Sequence, residues 1–309
     1  MKVFESPAAV PADFPASAVT VGKFDGVHTG HRAVIAELER AAAALSLASV
    51  VVTFDRNPLR VLAPDKCPPE LVSLPQKLDL LAETGLDATL VLEFNRAFSQ
   101  QTPEEFVQRI LVDALHARVV LVGSDFRFGA KGAGTVDTLR ALGRTHGFTV
   151  QLIDDVRPEG GKRVSSTWIR QLMADGDVAH AARLLGHAPS VRGIVEHGAK
   201  RGRELGFPTA NLSPESAGLI PADGVYAGWL DADGARYPAA ISVGNNPTFE
   251  GVPSKQVEAY VLDRDLDLYD KVVDVSFTAR IRGMVAFDGV DALIAQMHDD
   301  VQRARDLLA

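Results

Sequence analysis

Between residues 18 and 153, short apolar runs alternate with stretches in which apolar residues recur every three or four positions. Residues 18–24 form a β-branched run that ends in glycine-punctuated sequence. Over 31–45, Val34, Ile35, Leu38, Ala42 and Leu45 then repeat at helical spacing, so the pattern predicts strand, loop, helix. The runs 48–54, 88–92, 118–122 and 149–153 continue as strands, and 75–83, 102–115 and 135–146 as helices. Strands separated by helix-length crossovers pair in parallel with both faces covered, which predicts a doubly wound α/β domain. Ligands of such sheets settle beyond the carboxyl ends of the strands, so the loops after Phe24, Phe54 and Gly123 are the expected site.

After Gly186 the texture changes. Residues 191–195, 224–230, 237–243, 256–262 and 272–281 are short strand candidates with turn residues between them, which predicts a small β-barrel. Asp231, Ala232, Asp233 and Gly234 supply hairpin chemistry. Leu293, Ile294, Met297, Val301, Ala304 and Leu308 mark a closing C-terminal helix over 290–308. His187, Ala188 and Pro189 make a joint, because a residue before proline is biased away from the helical region. The expected domains are therefore residues 1–186 and 187–309.

Composition narrows the partners. The 309 residues carry 32 basic against 40 acidic side chains, a net charge of −8, so no general positive field attracts a polyanion and nucleic acid is not an expected partner. The single cysteine, Cys67, forms no internal disulfide, and the first thirty residues lack a secretory pattern, which fits a cytoplasmic protein. No run approaches the ~18 apolar residues of a membrane span. A homo-oligomer is compatible with the chain but is not specified by it. No G-x-x-x-x-G-K-[ST] or G-x-S-x-G string occurs, so neither a P-loop nor a hydrolase elbow is present.

The first candidate site is Gly22-Lys23-Phe24-Asp25-Gly26-Val27-His28-Thr29-Gly30-His31. Gly26 and Gly30 permit close backbone approach, and the N–H groups of the following helix start attract anions. His28 and His31 can donate to phosphate oxygens and, if charged, stabilise a pentavalent phosphorus. Histidines at this spacing also serve as helix caps or as half of a metal site. A second stretch, Arg163-Val164-Ser165-Ser166-Thr167-Trp168-Ile169-Arg170, opens another helix with capping hydroxyls and two guanidinium forks.

In the second half, Gly202-Arg203-Glu204-Leu205-Gly206-Phe207-Pro208-Thr209-Ala210-Asn211 is an irregular loop between strands. In an extended segment Thr209 and Asn211 face the same way, and their oxygens suit one hard cation, with magnesium the obvious candidate; a polar turn is the plainer reading. Glu258 lies in a strand, where glutamate usually faces solvent.

Together the HxGH and SSTxxR strings resemble the signatures of the nucleotidyltransferase superfamily, with its Rossmann-like parallel sheet. The longer strings GKFDGVHTGH, Gly123-Ser124-Asp125-Phe126-Arg127-Phe128-Gly129 and RVSSTWIR resemble the adenylyltransferase module of bacterial bifunctional riboflavin kinase/FAD synthetase. GFPTAN, with 193–211, 224–228, 244–249 and 267–282, follows the riboflavin kinase module of that family in order. The resemblance covers about residues 19–308 and implies two reactions. Riboflavin and Mg-ATP give FMN in the barrel, and FMN with a second ATP gives FAD and pyrophosphate in the α/β domain.

By that resemblance, His28 and His31 are catalytic contacts of the ATP phosphates, with Gly22, Phe24, Asp25, Gly26 and Gly30 around them. Arg163, Ser165, Ser166, Thr167 and Arg170 hold the triphosphate, and Asp125 and Phe126 the nucleotide or flavin side. In the barrel, Glu258 is the general base on the ribityl 5′-hydroxyl, Gly206, Phe207, Pro208, Thr209 and Asn211 bind ATP or flavin, Thr209 and Asn211 hold Mg2+, and Arg282 positions flavin or phosphate. Three departures stand out. Asn57 occupies a place where histidine before proline is expected, Asp270 follows Tyr269 where glycine is frequent, and Ala286 precedes Phe287 where lysine is common. Asn57 bonds phosphate but cannot become cationic, which implies reduced FAD synthesis. The runners-up are a riboflavin kinase with a weakened first module and a non-catalytic flavin- or nucleotide-binding regulator.

Overall fold

The computed structural model describes residues 1–154, 161–197, 206–245 and 255–309. They form two compact units, one of Met1–Glu70 and Leu74–Val164, the other of Leu71–Ser73 and Ser165–Ala309.

The first unit is built on six parallel strands, β1 (Lys2–Phe4), β2 (Ser17–Val21), β3 (Ala48–Phe54), β4 (Ala88–Leu92), β5 (Ala117–Gly123) and β6 (Thr149–Ile153). Their order is β1-β4-β3-β2-β5-β6. Alternation on β3 shows why both faces are covered. Val50 and Val52 pack with Leu90, Ile110 and Leu139 on one side, while Val51 packs with Ile35, Leu38 and Leu81 on the other. Each such fully buried side chain contributes roughly 1.5–3 kcal/mol. Ile35 and Leu38 belong to α1 (Thr29–Leu45), and Leu81 to α3 (Leu74–Ala82), which follows the short α2 (Leu59–Leu62). Leu139 belongs to α5 (Val136–His146).

The chain winds β2 to β3 to β4 in one direction and β5 to β6 in the other, so the sheet reverses between adjacent β2 and β5. That reversal gathers the loop after Gly123 and the loop after β2, which begins at Val21 rather than at the Phe24 anticipated from sequence. Two further details differ from expectation. Strand β1 pairs with β4 at the sheet edge, where three residues are too few to show a period. The helix expected over 102–115 is an α-turn, α4 (Pro103–Phe106), opened by a Thr102/Glu105 capping box and continued as π-helix over Val107–Ala114.

In the second unit, β7 (Ser190–Glu196), β8 (Ala210–Leu212), β9 (Gly224–Ala232), β10 (Ala235–Asn245), β11 (Lys255–Val261) and β12 (Val272–Arg282) close an antiparallel barrel in the order β10-β11-β8-β7-β12-β9. Asp233 and Gly234, at φ 51° and 76°, make the expected hairpin turn, whose two positive φ values match the twist of β9 and β10. The C-terminal helix α8 (Val290–Leu308) packs Val301 and Ala304 against Val225, Ala227 and Ile281.

Two helices precede the barrel in this unit, α6 (Ser166–Asp175) and α7 (Val178–Leu185). Arg280 of β12 donates to the carbonyls of Asp175 (3.2 Å) and Asp223 (2.7 Å), and Ala222 N donates to the Met173 carbonyl (2.9 Å). Packing thus divides the chain between Val164 and Ser165. Among the described residues no helix is long and apolar enough to cross a membrane.

Candidate active sites

The loop from β2 to α1 crosses left-handed backbone at Phe24 (φ 50°), Gly26 (φ 84°) and Val27 (φ 37°). Glycine adopts this region freely, whereas a β-branched valine does so under strain. His28 is the N-cap of α1, its Nδ1 accepting from the His31 N–H at 3.3 Å, so the capping reading holds for this residue. An accepting Nδ1 places the ring proton on Nε2. The two imidazoles stack at 3.6 Å with an interplanar angle of 14°, and Phe24 lies 5.0 Å from His31. A side chain at Gly30 would crowd the His28 ring, at 3.1 Å from its Cβ, and one at Gly22 would meet the Phe24 ring.

His28 is buried, while His31 is partly buried with its Nδ1 sealed from solvent and lacking a hydrogen-bond partner among the described residues. A buried nitrogen of this kind is a costly orphan unless a ligand meets it. Burial first, then the charges of His28, Lys23, Lys77 and Arg163, hold the His31 imidazole well below its ordinary value. The charge that the sequence left open for this pair is thus disfavoured on His31, and the neighbouring lysines and arginine supply positive charge. No cluster of three or more His, Cys, Asp or Glu side chains able to hold a metal occurs among the described residues.

The other expected residues of the first site are placed as follows. Asp125, after β5, accepts from Arg163 at 3.0 Å, an exposed pair worth at most about 1 kcal/mol and so easily exchanged for a ligand. Phe126 stacks on Phe128, with ring centroids 5.5 Å apart. Asn57 turns its carbonyl onto the Leu59 N–H at 3.1 Å, making a local turn at the start of α2. Asp25 lies in the loop among charges that include Lys77. In the second unit Ser165 caps α6 by accepting from Trp168 N–H at 3.3 Å; Ser166 and Thr167 form the first turn, and Arg170 follows on the next.

Lys77 escaped the sequence reading. It is buried in α3, and its Nζ donates to the Phe54 carbonyl at 2.7 Å and the Lys23 carbonyl at 3.4 Å. The signal was present, because Lys77 falls between Leu74 and Leu81 on the apolar stripe of its helix.

The barrel site forms where β8 meets β11. Gly206 takes φ 86°, Phe207 is buried against Tyr260 and His298, and Pro208 leads into Thr209. Asn211 of β8 is the register partner of Glu258 of β11. Its amide donates to the Thr209 Oγ1 (3.3 Å) and carbonyl (3.1 Å), and the Thr209 hydroxyl donates to the Glu258 carboxylate. The three side chains expected from two separated motifs are thus joined in one cluster. Burial raises the Glu258 carboxyl above its ordinary value, opposed by the Thr209 bond, so this is not the solvent-facing strand glutamate of the plainer reading. Residues 202–205 and 246–249 of the expected segments lie outside the described residues.

Arg282 is placed differently from the other barrel residues. Its guanidinium grips Asp300 of α8 through Nε (2.9 and 3.0 Å) and Nη2 (2.7 Å), and a third nitrogen donates to the Gly283 carbonyl.

An imidazole-lined helix start at the switch point of a doubly wound sheet, upstream of a six-stranded barrel with a partly buried carboxylate, is the architecture of a two-site transferase. Residues 10–168 match the family model for FAD synthetase, and residues 185–308 the model for riboflavin kinase. Bifunctional riboflavin kinase/FMN adenylyltransferase of Escherichia coli (strain K12) is 38% identical over 289 residues, spanning 93% of this chain and 91% of that protein. The protein of the same description from Bacillus subtilis (strain 168) is 33% identical over 93% of this chain and 91% of its own. A solved structure described as a macrolide-efflux protein from Streptococcus pneumoniae superposes with a TM-score of 0.87 at 33% identity, covering 98% of both chains. The chain belongs to the bacterial bifunctional riboflavin kinase/FMN adenylyltransferase family.

Proposed function

We propose that this chain makes FMN from riboflavin and FAD from FMN, consuming one ATP in each step. The observation that carries the reading is that both family models match one chain in order, at 10–168 and 185–308. By this reading the functional modules are residues 1–186 and 187–309, a division at the change of sequence texture that differs from the division by packing at Val164/Ser165.

In the kinase step, Glu258 accepts the proton of the ribityl 5′-hydroxyl as that oxygen attacks the γ-phosphorus, and ADP leaves. The oxygens of Thr209 and Asn211 form a hard donor pair, which fits Mg2+; when bound, the ion would neutralise ATP phosphate charge. Thr209 orients the carboxylate, and burial raises its proton affinity, the direction that favours a general base. Glu258→Ala therefore lowers FMN formation by about 10²–10⁴-fold.

In the adenylylation step, the FMN phosphate attacks the α-phosphorus of ATP in line and pyrophosphate departs, so no protein nucleophile is required. Positioning and charge stabilisation carry the rate. His28 through Nε2–H and His31 through its orphan Nδ1 meet phosphate oxygens. Arg163 and the Ser165, Ser166, Thr167 and Arg170 segment hold the triphosphate, and Asp125 and Phe126 border the nucleotide or flavin. Chromatography of products from riboflavin, ATP and magnesium tests the reading: FAD supports it, FMN alone reduces the chain to a kinase, and neither leaves only a binding protein.

A further inference from the structure

We propose that Lys77 is a positioning residue for adenylyl transfer: its buried ammonium ties the His28/His31 loop to the end of β3 and keeps a fixed positive charge beside the place where the phosphates lie. The inference rests on reading that loop as the adenylylation site.

Three observations carry it. First, Lys77 is only 8% exposed, yet its charged end is directed at two backbone carbonyls, Phe54 at 2.7 Å and Lys23 at 3.4 Å. These stand at the carboxyl ends of neighbouring strands β3 and β2. Secondly, the Lys23 carbonyl is held again by the Thr53 hydroxyl at 3.1 Å. The strained backbone of Phe24 and Val27 begins at the next residue, and both of those side chains are buried. Strained φ values persist only where the surroundings over-determine them, and this double clamp does so at the root of the loop.

Thirdly, an apolar side chain would fill the α3 stripe without the desolvation penalty of a buried ammonium. A lysine retained there serves the neighbouring charges. Burial lowers the Lys77 ammonium below its ordinary value, opposed by Asp25, Glu70 and Asp55, and after burial the charges of His28, Lys23, Lys77 and Arg163 lower His31. An arriving triphosphate adds the negative charge for which this set of cations is prepared.

The test uses the full chain, with FMN and ATP as substrates and pyrophosphate release as the readout. Riboflavin phosphorylation and thermal melting are measured on the same samples. Lys77→Gln keeps a donor and removes the charge. It is expected to lower kcat for FAD formation about 10- to 100-fold, as for a small misplacement of reacting groups, with riboflavin phosphorylation unchanged. Removing a cation that holds the His31 imidazole down lets it protonate at higher pH, so the acid limb of the adenylylation profile moves upward. Thr53→Val, which breaks the neutral half of the clamp, lowers kcat without moving that limb.

A folded Lys77→Gln protein with wild-type kcat, or with an unmoved acid limb, overturns the proposal. If Lys77→Gln does not fold, Lys77→Arg decides: reduced kcat with the limb in its wild-type position supports the proposal, and any other pairing overturns it. His31→Asn separates the premise from the inference. Undiminished FAD formation in that variant sinks the site reading, whereas an inactive His31→Asn beside a normal Lys77→Gln sinks the Lys77 role alone.

Discussion

At the residue scale, what the sequence exposed was chemistry at fixed spacing, and what it hid was burial. His28, Gly30 and His31 stand within four positions of one another, so their convergence follows from local geometry alone. Lys77 is 46 residues from His31, and its inward direction depends on how α3 lies across the sheet. The family departures now have different weights. Asp270 takes φ 61°, a conformation that glycine adopts freely and that aspartate tolerates better than most residues, so replacing the frequent glycine costs little. Ala286 is exposed between β12 and α8, and nothing in the structure explains it. Asn57 is the consequential case, because its carbonyl is committed to the Leu59 N–H. Asn57→His gives up that turn bond, worth about 1 kcal/mol, and adds a group able to carry charge. The expected result is a lower melting temperature with faster FAD formation, up to about tenfold for ~1.4 kcal/mol of added stabilisation. Steady-state kinetics with ATP varied checks it, and unchanged turnover with unchanged ATP affinity removes position 57 from the site.

At the element scale, long periodic segments were legible and short ones were not. The β3 run and the α1 stripe gave both type and position, since each repeats its pattern several times. Strand β8 has three residues, too few for alternation, and it emerged only as the extended end of a loop. Its pairing with β11, which sets Asn211 opposite Glu258, is a long-range register that no local pattern encodes. Arg282 makes the same point for β12 and α8. Side-chain exposures of 16% for Arg282 and 6% for Asp300 mark a buried ion pair between these elements. Breaking one partner of a buried pair typically costs about 3–5 kcal/mol because the other charge is stranded. Arg282→Ala is therefore expected to loosen α8 and lower barrel stability by that amount, and Arg282→Met combined with Asp300→Leu to recover most of it. Denaturant melts measure both. A recovered melt accompanied by an unchanged KM for riboflavin assigns Arg282 to the fold, whereas a recovered melt with a raised KM assigns it to the flavin as well.

At the scale of the whole molecule, the change of sequence texture divides the chain at 186/187, whereas packing divides it between Val164 and Ser165. The SSTWIR string belongs by motif to the first module, and packing places α6, which carries Ser166, Thr167 and Arg170, in the second unit. Motif order records chemistry, while the border in space records where apolar faces find cover, and here Met173 and Leu172 of α6 are buried within the second unit. By the proposed reading the two reactions should be separable by single substitutions, because the side chains assigned to them lie in different units: His31 in the first, Glu258 with Thr209 and Asn211 in the second. Glu258→Ala should make FAD from supplied FMN but little from riboflavin, and His31→Asn should convert riboflavin to FMN and stop. FMN is the product of one reaction and the substrate of the other, so mixing the two variants with riboflavin, ATP and magnesium should restore FAD through FMN released into solution. Time courses with the variants alone and mixed provide the measurement. A mixture that accumulates FMN without FAD, while Glu258→Ala still adenylylates added FMN at the same concentration, would mean that FMN leaves the kinase site in a form unavailable to a second chain.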